Sequence, residues 1–297
     1  MTVFVTGVNG QLGYDVVKEL KRRGHNAIGS GSRSSDAVDY IQLDITDASA
    51  VMQAIQLIHP DAVVHCAAWT AVDAAELPEN RNKVHLTNVI GTENLAKACK
   101  AIDAKLVYLS TDYVFSGLGV EPWEADCKDF SPLNVYGQSK LDGEFAVASN
   151  LDKFFIVRIA WVFGLNGKNF IKTMLNVGKT HDTVRVVDDQ VGTPTYTFDL
   201  ACLLVDMIET EKYGFYHATN EGGFISWYEF CCEIYRQAGL KTQVIPVTTA
   251  EYGLSTAARP FNSRLDKSKL SMNGFTLLPT WQDALHRYLI ELGEIDK

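Results

Sequence analysis

The sequence predicts an α/β fold, a doubly wound parallel sheet with a smaller mixed C-terminal domain. Three observations lead there. Short apolar runs rich in Val, Ile and Phe alternate with longer amphipathic stretches. Most of those runs are nearly continuously apolar, as strands covered on both faces must be. The first run leads into a glycine-rich turn and an amphipathic segment, the opening of a βαβ unit with a right-handed crossover.

The expected strands are 2–7, 26–30, 40–44, 62–67, 105–111 and 154–160. A helix is expected over 11–23, where Leu12, Val16, Val17 and Leu20 fall at helical spacing and Gly24 ends the pattern. A second, 48–58, stops before His59-Pro60, and a third, 84–101, carries Val84, Asn88, Gly91, Leu95 and Cys99 on one stripe. After Gly164 the pattern loosens. Helices are expected over 169–177, 197–209 and 227–238, and strands over 183–187 and 214–220, the latter returning to the main sheet. The tail holds Pro246, Pro260 and Pro279 between short elements. The expected division is a dinucleotide-binding domain over 1–165, joined by 214–220, and a mainly substrate-binding domain over 166–297.

Composition narrows the function. The 297 residues are 46% hydrophobic and 21% charged, enough for a substantial core and unlike a disordered chain. With 27 basic and 36 acidic residues the net charge is −9, which disfavours a nucleic-acid partner. No apolar run reaches the roughly 18 residues of a membrane span, and the chain opens on a strand rather than a charged leader, so no membrane partner and a cytoplasmic location are expected. Six cysteines without a C-x-x-C pair read as core thiols, and seven histidines show no ligand spacing, so no metal site is expected.

Gly7-Val8-Asn9-Gly10-Gln11-Leu12-Gly13 has the spacing G-x-x-G-x-x-G after the first strand. Glycines there let backbone approach a pyrophosphate, and the helix start offers N–H groups with partial positive charge. That context makes the fold Rossmann-type and assigns Gly7, Asn9, Gly10, Gln11, Leu12 and Gly13 to a dinucleotide. After the second strand come Ser30, Gly31, Ser32 and Arg33, with no carboxylate before Asp36. An Arg there accepts a 2′-phosphate, which favours NADPH or dual use with NADH. Arg33 as a plain loop residue is the alternative. Asp44-Ile45 is expected beside the adenine, and Ala67, Ala68 and Trp69 along the ribose and pyrophosphate.

Tyr136-Gly137-Gln138-Ser139-Lys140 is Y-x-x-x-K. Four residues apart on a helix, the phenol and the ammonium share a face. The cation is expected to lower the Tyr136 pKa and make the phenol a proton donor near neutrality. Thr111, ending the fifth strand, would hydrogen-bond the carbonyl oxygen that the phenol protonates.

Together these motifs resemble the extended short-chain dehydrogenases/reductases. Within them, residues 66–76 (CAAWTAVDAAE), 109–115 (LSTDYVF), 189–195 (DQVGTPT) and 258–263 (ARPFNS) resemble the dTDP-4-dehydrorhamnose reductase family. The resemblance runs from the first strand to about Leu265, and more loosely beyond. It implies reduction of the C4 keto group of dTDP-6-deoxy-L-lyxo-4-hexulose to dTDP-L-rhamnose. Tyr136 would protonate the alkoxide, Lys140 would hold the nicotinamide ribose, and Thr111 would polarise the carbonyl. Asp112 and Trp161 would sit by the sugar, Arg259 by the nucleotide, and Asn169 with residues 190–195, Gln190 foremost, would line the same cleft. The alternatives are a core role for Trp161 and a surface salt bridge for Arg259. The family usually has His or Tyr where Trp69 stands. The partner implied is a nucleotide sugar, with the chain a monomer or homodimer.

Two rivals share the scaffold. The first is another nucleotide-sugar enzyme, a reductase, epimerase or dehydratase; a dehydratase needs an Asp-Glu pair after the fifth-strand Thr, and this chain has Asp112-Tyr113. A non-catalytic regulatory subunit would be expected to lose Tyr136 or Lys140, and both are present.

Overall fold

The computed structural model of the chain describes residues 1–296. Its order is β1 (Thr2–Thr6), α1 (Gln11–Arg22), β2 (Asn26–Gly31), β3 (Tyr40–Gln42), α2 (Ala48–Ile58), β4 (Ala62–His65), α3 (Val72–Ala75), α4 (Pro78–His85), α5 (Gly91–Ala101), β5 (Lys105–Thr111), α6 (Val135–Asn150) and β6 (Phe154–Ile159). There follow β7 (Val162–Phe163), α7 (Phe170–Gly178), β8 (Thr183–Val187), β9 (Val191–Gly192), β10 (Thr195–Tyr196), α8 (Thr197–Ile208) and β11 (Gly214–His217). The chain ends with β12 (Ile225–Ser226), α9 (Trp227–Gln237), β13 (Gln243–Val247), α10 (Thr249–Tyr252), α11 (Ser268–Met272) and α12 (Trp281–Leu292).

Seven strands form the central sheet in the order β11-β6-β5-β4-β1-β2-β3. Every pairing in it is parallel, and the strand ends of β1, β4 and β5 open onto one edge, where order reverses between β4 and β1. Such a switch point is where doubly wound sheets bind ligands. The apolar runs explain the burial: Val3 to Val5, Ala62 to Val64 and Leu106 to Tyr108 are all 0% exposed. One face is covered by α1 and α8, with Leu12, Val16, Leu20, Leu200 and Leu204. The other is covered by α2, α5 and α6, with Val51, Ile55, Leu95, Cys99 and Val147.

The strand expected over 214–220 does return to the sheet, as the edge partner of β6. The helix read as 84–101 is interrupted: Leu86–Ile90 is a π-helical turn between α4 and α5. A second apolar cluster, away from the sheet, gathers α7, α9 and α12 around Phe163, Phe230 and Tyr288. β8 and β13 pair in parallel beside it. Among the described residues, no helix is long and apolar enough to cross a membrane.

One ion pair fixes α6 against the sheet. Arg158, near the C-terminal end of β6, donates to both carboxylate oxygens of Glu144 on α6 at 2.8 and 2.7 Å. Both side chains are 1% exposed. A buried bidentate pair of this kind holds α6 in one register over the sheet.

Candidate active site

The site grows from strand ends. After β1 the chain turns at Gly7 with φ +69°, a conformation that favours glycine. A Cβ on Gly7 would lie 2.6 Å from the Ala67 nitrogen, and one on Gly13 would lie 2.4 Å from the Gly7 oxygen. The glycine spacing therefore brings the start of α1 against β1 and the end of β4. Beside this turn a cavity of about 440 Å³ is lined by Gly7, Asn9, Gly10, Ser30, Arg33, Asp44, Ile45, Ala67 and Ala68. The Ser30 hydroxyl is buried there without a partner, and Asp44 accepts from the Thr46 backbone and hydroxyl. Trp69 lines none of the cavities described here; its backbone N–H and carbonyl are both held by the Asn88 side chain.

A second cavity, about 470 Å³, shares Gly10, Cys66 and Ala68 with the first. It brings Gln11, Leu12 and Gly13 together with Thr111, Asp112, Tyr136, Lys140 and Trp161. Tyr136 and Lys140 lie on α6, whose start is capped by the Asn134 side chain accepting from the Gly137 N–H at 2.7 Å. Thr111 donates to Asp112 at 3.0 Å, and the other Asp112 oxygen is buried without a partner.

The electrostatics differ from the sequence expectation in one respect. Burial pushes the Tyr136 phenol above its ordinary value, with Thr111 pulling the other way. Lys140 does not lower it. Its ammonium lies 4.0 Å over the Tyr108 ring, and burial drops its own pKa to about 7 despite the Glu144 charge. Desolvation wins because both groups are removed from water before any ligand arrives. Burial likewise raises Asp112 to about 6.

A third cavity, about 320 Å³, adjoins the second at Tyr113 and Trp227. Gln190 and Arg259 line it with Arg185 and Tyr252. The Arg259 guanidinium donates to both oxygens of Asp73, at 3.1 and 2.6 Å, so the pair weighed as an alternative is present at the cavity wall. Asn169 lies apart from the cavities. Its side chain caps α7 and donates to Gln11, the Gly164 carbonyl and the Tyr288 hydroxyl. Of residues 190–195, Thr193 and Thr195 hydrogen-bond to the Gly223 and Ala160 carbonyls instead of lining the cleft.

Sequence reading missed Trp227, which stacks on Trp161 with ring centroids 3.7 Å apart at the junction of the two cavities. Trp161 itself has φ +51°, a strained conformation for a non-glycine residue that persists only because its surroundings hold it. A lone Trp after a helix cap carries no motif, and only the fold pairs the two. Also missed was a buried hydrogen-bond chain beneath the site. His65 bridges the Thr6 and Thr92 hydroxyls at 2.7 and 3.1 Å. Thr92 donates to the Asn88 carbonyl, Asn88 to the Ser139 hydroxyl, and Ser139 to the Tyr136 carbonyl.

The chain resembles known proteins over nearly its whole length. The family model described as RmlD substrate binding domain matches residues 1–293. The chain is 38% identical to the spore coat polysaccharide biosynthesis protein SpsK of Bacillus subtilis over 290 residues, 97% of each chain. It is 41% identical to a dTDP-4-dehydrorhamnose reductase of Streptomyces griseus over 289 residues, 95% of this chain and 90% of that one. A crystal structure of the Bacillus anthracis dTDP-4-dehydrorhamnose reductase in complex with NADP superposes with a TM-score of 0.91 at 41% identity, covering 98% and 99% of the two chains. Glycine turn, strand-end Thr and helical Tyr/Lys pair thus occur in a chain that belongs to the RmlD family, that of the dTDP-4-dehydrorhamnose reductases.

Proposed function

We propose that this chain is an NADPH-dependent oxidoreductase, also able to use NADH, that reduces the C4 keto group of dTDP-6-deoxy-L-lyxo-4-hexulose to dTDP-L-rhamnose in cell-surface polysaccharide biosynthesis. One observation carries the reading: Thr111, Asp112, Tyr136 and Lys140 converge on a cavity that opens onto the glycine turn. The dinucleotide fits what is present. The turn has no room for side chains at Gly7 and Gly13, and the unpartnered Ser30 hydroxyl faces a cavity that Arg33 lines. Bound there, the reduced nicotinamide supplies the hydride.

The chain supplies binding and the proton. Gly10 to Gly13 present N–H groups to the diphosphate. Arg33 meets the 2′-phosphate, Asp44 and Ile45 flank the adenine, and Ala67 and Ala68 leave room along the ribose. Lys140 holds the nicotinamide ribose. Thr111 hydrogen-bonds the C4 oxygen, which favours the alkoxide as charge develops. Tyr136 gives that oxygen its proton, and burial keeps the phenol protonated until then. Asp112 accepts from a sugar hydroxyl, and the Trp161–Trp227 stack is a platform for the substrate. Residues of the 166–297 lobe, Gln190 and Arg259 among them, take the nucleotide half. The chain acts in the cytoplasm as a monomer or homodimer.

The test is incubation with NADPH and the dTDP-4-keto sugar, with loss of nicotinamide absorbance followed and the product identified by NMR. Formation of dTDP-L-rhamnose is expected. Absence of NADPH oxidation, or a product with the opposite C4 configuration, overturns the assignment.

A further inference from the structure

The loop between β7 and α7 crosses back over the glycine turn. Asn166 donates from its side-chain amide to the Asn9 carbonyl at 3.3 Å, and Asn169 donates to Gln11 Oε1 at 3.0 Å. From the other side, Lys172 donates to the Leu165 carbonyl and, at 3.0 Å, to the Gly167 carbonyl. Gly167 turns with φ +78°. The residue carried between these anchors is Lys168, which is exposed and lines the second cavity together with Gly10 to Gly13.

Charge gives this placement meaning. Among the described residues lining that cavity, only Lys140 and Lys168 are basic, and only Asp112 is acidic. Lys140 is 3% exposed, with its ammonium over the Tyr108 ring. A dinucleotide diphosphate carries two negative charges. The glycine turn offers it N–H groups, and the first turn of α1 (Gln11-Leu12-Gly13-Tyr14) has no cationic side chain. We infer that Lys168 is the cationic contact for the diphosphate of the bound dinucleotide, brought across the cleft by the loop 164–169. The inference rests on the dinucleotide reading above. The substrate's own diphosphate is the less suited ligand, because Lys168 lines the cavity of the glycine turn and not that of Arg259 and Gln190.

The experiment uses Lys168→Gln and Lys168→Arg in the full chain, with the Kd of NADPH, adenosine 2′-phosphate and dTDP measured by fluorescence titration at low and high salt. Lys168→Gln is expected to weaken NADPH by about fivefold, the effect of one partly solvated charge contact. The difference should shrink at high salt, where such contacts are screened. Adenosine 2′-phosphate, which lacks the diphosphate, and dTDP should bind as to the unsubstituted chain, and Lys168→Arg should restore NADPH binding to within about twofold. Unchanged NADPH binding in Lys168→Gln overturns the inference and leaves the reductase reading standing. Weakening of dTDP alone, or equal weakening of NADPH and adenosine 2′-phosphate, also overturns it. An unsubstituted chain that binds no NADPH overturns both.

Discussion

Replacing Lys140 by Met should make the protein more stable while abolishing its reduction of substrate. The side chain is 3% exposed, and burial holds its pKa near 7, against about 10.4 for a solvated lysine. At about 1.36 kcal/mol per pH unit, that difference places the penalty for burying the cation at no more than about 4–5 kcal/mol. Methionine is unbranched, apolar and of similar length, so it fills the same space. The attraction of the ammonium to the Tyr108 ring is already contained in that lowered pKa and is not subtracted again. The gain expected at neutral pH is therefore up to about 4 kcal/mol. Its pH dependence has a definite sign. Below about pH 7 the lysine is protonated in both folded and unfolded chains, and the penalty is complete. Between there and about pH 10.4 the unfolded chain binds more protons, so the stability of the unsubstituted protein rises with pH and the advantage of the variant shrinks to nothing. Urea unfolding of both proteins at about pH 6, 8 and 10 measures this. A Lys140→Met protein less stable than its parent at neutral pH, or an advantage independent of pH, refutes the reasoning.

Tyr136→Phe should lower kcat by roughly 10²–10⁴, the usual contribution of a positioned proton donor, with NADPH affinity kept; steady-state kinetics and a fluorescence titration check both halves. Arg33→Ala should raise the KM for NADPH far more than that for NADH, and equal effects would remove Arg33 from the 2′-phosphate. Arg259→Ala should raise the KM for the nucleotide sugar. Because the guanidinium also joins Asp73, a loss of up to about 1 kcal/mol in stability, seen as a lower Tm, is expected with it; a normal KM would restrict Arg259 to that ion pair.

Much of the sheet was legible because a strand buried on both faces must be nearly all apolar, as Lys105–Thr111 is apart from its ends. The glycine turn and the Tyr/Lys pair were legible because spacing alone puts backbone against backbone, or two side chains on one helix face. The interruption of 84–101 left no trace in the sequence. Its apolar spacing runs on unbroken, and the π-helical turn coincides with Asn88, which holds the backbone of Trp69 nineteen residues earlier. The family resemblance puts Asn169 in the ligand cleft, but cap and carbonyl contacts occupy it. The Trp161–Trp227 stack joins positions far apart in the chain, and no local pattern encodes it.

The edge position of β11 has a consequence for how the chain is made. The sheet is not closed at its β6 side until Gly214–His217 has been synthesised, long after β6. In the interval the unpaired N–H and C=O groups of Phe154–Ile159 are open to other chains. A protein truncated between the two strands would keep that exposed border permanently, and self-association, rather than simple loss of substrate binding, is the fault it would show.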